Sequence, residues 1–137
     1  MTSAPRVLVV DDQEDIREMA RLILTGAGYE VYLAPSGRDA LAAVRQAHFD
    51  LMLLDINMPE LDGWATLRLL RADSSFDALP VAMFSVKSEV RDKVASLQDG
   101  AVDFITKPFG VDDLVFRVSR IFSAADGASA VPTASPR

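Results

Sequence analysis

The chain has 137 residues, room for one domain with a real core and little beyond it. Half of its residues are hydrophobic, a quarter are charged and the formal net charge is −6, which argues for a globular domain and against nonspecific binding to nucleic-acid phosphates. There is no cysteine, so disulfides, thiolate nucleophiles and cysteine-based zinc or iron–sulfur centres are excluded, and no apolar run approaches the roughly 18 residues that span a bilayer.

In chain order, RVLVV (6–10) is a β-type run that leads straight into Asp11 and Asp12. Over 13–28, Ile16, Met19, Ala20, Ile23 and Ala27 recur at helical spacing, with Gly26 and Gly28 as the stop and Leu22 off the stripe. EVYLA (30–34) is a second strand, and Ser36 is the N-cap of a helix over 36–47. DLMLLD (50–55) is the most apolar strand and ends on Asp55. The turn MPELDG (58–63), shaped by Pro59 and Gly63, leads into a helix over 63–73, with a structural role for Asp62 and a packing role for Trp64. PVAMFS (80–85) ends on Ser85, and a helix over 88–101 is expected between Ser88 and Gly100. VDFI (102–105) is followed by Lys107 and Pro108. The last helix, 111–122, gathers Val111, Leu114, Val115, Val118, Ile121 and Phe122 on one face and leaves Phe116 opposite, beside Arg120 and Asp113. The domain is thus expected over 5–123, and the small, polar, proline-containing stretch 124–137 is expected to be a disordered tail or linker.

Strands alternating with helices imply βαβ units and an α/β, doubly wound, five-stranded parallel sheet with five helices. All parallel strands end at one edge, where ligands bind. That edge would carry Asp11, Asp12, Asp55, Ser85 and Lys107, while the second strand offers nothing equivalent. Three clustered carboxylates call for a hard divalent cation such as Mg²⁺. With Lys107 the charges then sum to zero, and the site can accept a dianionic phosphoryl group. A carboxylate is a competent nucleophile toward phosphorus, and Asp55 is the best placed of the three.

The set VDD, LLDINMPELDG, FSVKSE and DFITKPF resembles the receiver domain of bacterial two-component response regulators over about residues 5–123. The resemblance implies a flavodoxin-like sheet of order 2-1-3-4-5 and phosphorylation of Asp55 from a phosphohistidine on a histidine kinase or phosphotransfer protein. It implies Mg²⁺ held by Asp11, Asp12, Asp55 and the Asn57 carbonyl, with Ser85 and Lys107 on the phosphoryl oxygens. Phe104 matches the aromatic switch that follows Ser85 inward, and Lys107-Pro108 matches a bond that is cis in the family. Two positions depart from the commonest pattern: Val86 stands where Ala or Gly is usual and should narrow access, and Lys87 adds a cation near the rim. The family signals through the face of the fourth helix, fifth strand and fifth helix. Phe116 and Arg120 are therefore interface candidates for a downstream partner or a homodimer, and Leu22 a weaker candidate for kinase contact.

His48 is the only histidine and lies away from the rim, so the phosphohistidine must belong to another protein. The expected molecule is a cytoplasmic signalling switch more than an enzyme, though one that catalyses its own phosphorylation and dephosphorylation. Direct nucleic-acid or membrane contact is not expected, and the output would come from a partner or a further domain. Two alternatives stay open here: a receiver-like interaction module without phosphorylation, and an aspartate-nucleophile phosphatase of the haloacid dehalogenase type. The second lacks its usual second Asp, because Asn57 stands there.

Overall fold

The computed structural model describes residues 3–86, 94 and 97–130, with side chains to residue 124. Five strands, β1 (Arg6–Val10), β2 (Glu30–Ala34), β3 (Leu51–Asp55), β4 (Val81–Ser85) and β5 (Asp103–Thr106), form one sheet of order β2-β1-β3-β4-β5. Every pairing is parallel. Three helices, α1 (Glu14–Gly26), α2 (Gly37–Gln46) and α3 (Gly63–Arg71), and a C-terminal helix (Val111–Ala130) cover the sheet, with a 3-10 turn at Ser74–Phe76. These are four of the five expected helices; most of the expected helix over 88–101, with Ser88 and Lys87, lies outside the described residues.

Alternation along each strand sends side chains to opposite faces and builds two cores. Leu8, Val10, Met52, Leu54, Val81 and Met83 pack with Ala40 and Val44 of α2 and Leu67 and Leu70 of α3. Val7, Val9, Leu51, Leu53, Ala82 and Phe84 pack with Ala20 and Leu24 of α1 and Leu114, Val118 and Ile121 of the C-terminal helix. β3 and β4 are buried at every residue, as strands covered on both faces must be, whereas β2, at the sheet edge, is mostly exposed.

The caps follow their local chemistry. Ser36 Oγ accepts from the Asp39 N–H at 3.1 Å, and an Asp62 carboxylate oxygen accepts from the Ala65 N–H at 2.8 Å. Gly100 has φ +101°, the left-handed backbone that glycine adopts without steric penalty.

Two expectations need correction. On α1 the buried positions are Ala20 and Leu24, while Met19 and Ala27 face solvent, because the sheet meets a stripe centred one residue further round the helix. The C-terminal helix also continues past Phe122 to Ala130, so the stretch expected to be disordered from 124 is helical that far. Its alanines at 124, 125, 128 and 130 extend an already nucleated helix at little free-energy cost.

Candidate functional site

The register brings the strand ends level at one edge. Val10 pairs with Leu54, Asp55 with Phe84, and Ser85 with Thr106. The next residues are Asp11 and Lys107. The edge therefore gathers Asp11, Asp55, Ser85 and Lys107, which together with Thr66 of α3 are the buried polar residues among those described.

Lys107 is the hub. Its ammonium stands 2.5 Å from Asp11 Oδ2 and 3.2 Å from Asp55 Oδ1, with 7% of the residue exposed. The second oxygen of Asp11 accepts from the Gln13 N–H at 3.0 Å, and an Arg17 guanidinium nitrogen donates to the Asp11 carbonyl at 2.8 Å. These contacts fix the Asp11 carboxylate between the start of α1 and the lysine. Asp12 is exposed beside it.

Asp55 has the opposite problem. Its pKa is pushed up from an ordinary 3.8 to about 6, chiefly by burial and next by the neighbouring charge of Asp11. Lys107 and the Asn57 backbone N–H, which bond the carboxylate, oppose that shift without cancelling it. One ammonium does not neutralise the acids at this edge.

One carboxylate oxygen each from Asp11, Asp12 and Asp55 can be chosen so that all lie within 4.8 Å of one another. The donors are hard oxygens with no nitrogen or sulfur among them, and the local charge is negative in excess. A hard divalent cation of the Mg²⁺ or Ca²⁺ class fits that set.

Close packing holds the Asp55 main chain. The Gly63 N–H donates to the Ile56 carbonyl at 2.8 Å, and a Cβ added at Gly63 would stand 2.3 Å from the Asp55 carbonyl oxygen. Gly63 shapes the turn before α3, yet the close approach is the stronger reason for glycine there. Arg17, which no motif marks in the sequence, secures the main chain of Asp11. The remaining candidates fall as follows. Phe104 is buried among the α2–α3 side of the core, Val86 is 64% exposed next to Ser85, and the Lys107-Pro108 bond is cis. Asn57 is exposed, Trp64 packs partly buried against the core, and Asp62 caps α3. His48 is largely exposed near Asp50, before β3 and thus at the far end of the sheet.

Two surfaces stand apart from this edge. On the C-terminal helix, Phe116 is exposed and the Arg120 guanidinium lies 5.7 Å from its ring centre. Leu22, also exposed, lines an open apolar groove of about 420 Å³ with Ile23, Gly26, Ala27, Val111 and Val115.

A family model described as the response regulator receiver domain matches residues 7–119. The DNA-binding response regulator MtrA of Mycobacterium tuberculosis is 41% identical over 117 residues, which cover 85% of this chain and 50% of that protein. A probable transcriptional regulator, ycf27, of Pyropia yezoensis is 37% identical over 121 residues, covering 88% of this chain and 49% of that one. The chain spans about half the length of these curated relatives. Among solved structures, the chemotaxis response regulator CheY4 of Vibrio cholerae superposes with a TM-score of 0.83 at 34% identity, covering 87% of this chain and 99% of that chain.

Proposed function

This chain belongs to the response regulator receiver domains of two-component signalling, and from that premise we propose that Asp55 is the phosphoacceptor of a metal-dependent switch. The observation that carries the assignment is the buried contact of Lys107 with both Asp11 and Asp55 at the edge where three acids meet.

In the reaction, an ionised Asp55 oxygen attacks the phosphorus of a phosphohistidine on a kinase or phosphotransfer protein. The P–N bond breaks, imidazole leaves, and an acyl phosphate remains on Asp55. Asp11, Asp12, Asp55 and the Asn57 carbonyl would hold Mg²⁺, which supplies charge neutralisation for the acids and the phosphoryl oxygens. Lys107 exchanges a carboxylate partner for a phosphoryl oxygen, and the Ser85 hydroxyl donates to another. Phe104 already lies buried on the α2–α3 side of the core, so movement of Ser85 toward the phosphate would hold the ring in that position, which converts a local charge change into a bias between surfaces. Loss of the phosphoryl group by water attack uses the same residues, so the domain governs its own lifetime without a diffusible substrate.

The groove beside Leu22 suits the phosphodonor protein, because it lies between α1 and the C-terminal helix, the former starting next to the acids. Phe116 and Arg120 would serve a downstream partner or a second copy. The MtrA relatives are DNA-binding response regulators, and half of their length is matched here. With a net charge of −6, this segment would act by protein contact in the cytoplasm, and any DNA contact would belong to the unmatched half.

Intact-mass measurement after incubation with acetyl phosphate tests the assignment. A single phosphate adduct that requires Mg²⁺ and is lost in Asp55→Asn is expected. An adduct of equal yield in Asp55→Asn, or none in the wild type with Mg²⁺, overturns it.

A further inference from the structure

Arg71, the last residue of α3, is half-buried, and the hydrogen bonds of its guanidinium go to main-chain carbonyls. One terminal nitrogen donates to the Phe76 carbonyl at 2.8 Å. The other donates to the Leu79 carbonyl at 2.8 Å and the Gly100 carbonyl at 2.9 Å. Three carbonyls from two separate loops need a planar fork of donors, which guanidinium has and ammonium lacks.

Gly100 is shaped to this contact. Its φ of +101° suits glycine, and a Cβ built there would stand 2.9 Å from Arg71 Nε. A second tie runs from Arg68 to Asp99 at 3.5 Å, though its exposure makes it the weaker one. At its other end, α3 rests through Gly63 on the main chain of Asp55. One nine-residue helix thus connects the backbone of Asp55 with the approach to β5, where Val102 N–H meets the Val81 carbonyl at 2.8 Å.

We propose that Arg71 is a positioning residue: it ties residues 99–101 to α3 and keeps them in the stationary frame of the domain while Ser85 and Phe104 respond to the phosphoryl group. The tie stands on the geometry alone, and the stationary-frame half rests on the function proposed above. In this arrangement Gly100 is the fixed point from which β5 begins, and the conformational response is confined to its far side.

Residue-resolved hydrogen exchange on the full chain tests both halves, without ligand and with Mg²⁺ and beryllofluoride as the phosphoryl mimic. Without ligand, Arg71→Met should speed exchange at Gly100 and Val102 roughly tenfold or more, and Arg71→Lys by less, since it restores the charge and some of the donors. With beryllofluoride, wild-type Gly100 and Val102 should keep their rates while the Ser85 and Phe104 regions change, and in Arg71→Met the response should spread to Gly100 and Val102. Unchanged exchange in unliganded Arg71→Met overturns the tie. A wild-type response at Gly100 as large as at Ser85 overturns the stationary frame. Should Arg71→Met fail to fold, Gly100→Ala reads the same contact from its other side, and unaltered exchange at Val102 in that variant overturns the tie. If beryllofluoride changes nothing anywhere, the phosphoacceptor reading and the stationary frame fall together, and the unliganded comparison still decides the tie.

Discussion

At the scale of single residues, Asp55 is held under electrostatic tension that a metal and a phosphoryl group would relieve. Its pKa of about 6 lies above the ordinary 3.8, so the unfolded chain sheds this proton first as pH rises. Folding stability therefore falls between about pH 4 and pH 6 on account of this group and stays reduced above that window. Asp55→Asn should accordingly stabilise the metal-free domain above pH 6, by on the order of 3 kcal/mol at most, and should lose that advantage toward pH 4. Saturating Mg²⁺ should narrow the difference. Urea unfolding of both proteins across this range checks it; a gain confined to low pH would contradict the sign. Val86 gives a second prediction at this scale. Its branched side chain stands exposed beside Ser85, so Val86→Ala should take up phosphate from acetyl phosphate faster, and equal rates would show that Val86 does not limit access. The acids, the hydroxyl and the lysine were legible in the sequence because each follows an apolar run. The sharing of Lys107 between two carboxylates was not, since it depends on side-chain reach from the end of β5 across β4 and β3 to the end of β1.

At the scale of elements, α3 is held at both ends by atoms of its neighbours. Gly63 admits no side chain, because a Cβ there would overlap the Asp55 carbonyl. Gly63→Ala should cost about 1–3 kcal/mol and slow phosphoryl uptake by displacing Asp55. Gly26, at the end of α1, has nothing within 4 Å of an added Cβ. Gly26→Ala should leave stability unchanged or raise it by up to about 1 kcal/mol, with uptake unaffected. Thermal melts and uptake rates on the two variants separate a crowding effect from a general intolerance of alanine. Most elements were legible to within a residue or two, because helical and strand periods alternate cleanly along the chain. The α1 stripe was displaced because Met19 and Leu24 are equally apolar, and only packing against the sheet chooses between them. The C-terminal helix outran its reading because composition marked 124–137 as a tail, whereas alanine propagates a helix without needing a buried face.

At the scale of the whole molecule, parallel strands place every C-terminal end at one edge, and that geometry converts scattered residues into a site. A linear reading can therefore find the constellation once the strands are recognised, although Asp11 and Lys107 are 96 positions apart. What a linear reading does not reach is the frame: Arg71 and Gly100 carry no motif of their own, and their contact follows from where α3 happens to end. The proposed switch depends on one atom, a carboxylate oxygen of Asp55. Borohydride reduces an acyl phosphate on aspartate to homoserine, which marks the modified position permanently for peptide mass spectrometry. After treatment with acetyl phosphate and Mg²⁺, homoserine is expected at position 55 and at no other aspartate. Homoserine at Asp11 or Asp12, or a peptide spanning 55 that remains unmodified while phosphate is bound elsewhere, would contradict it.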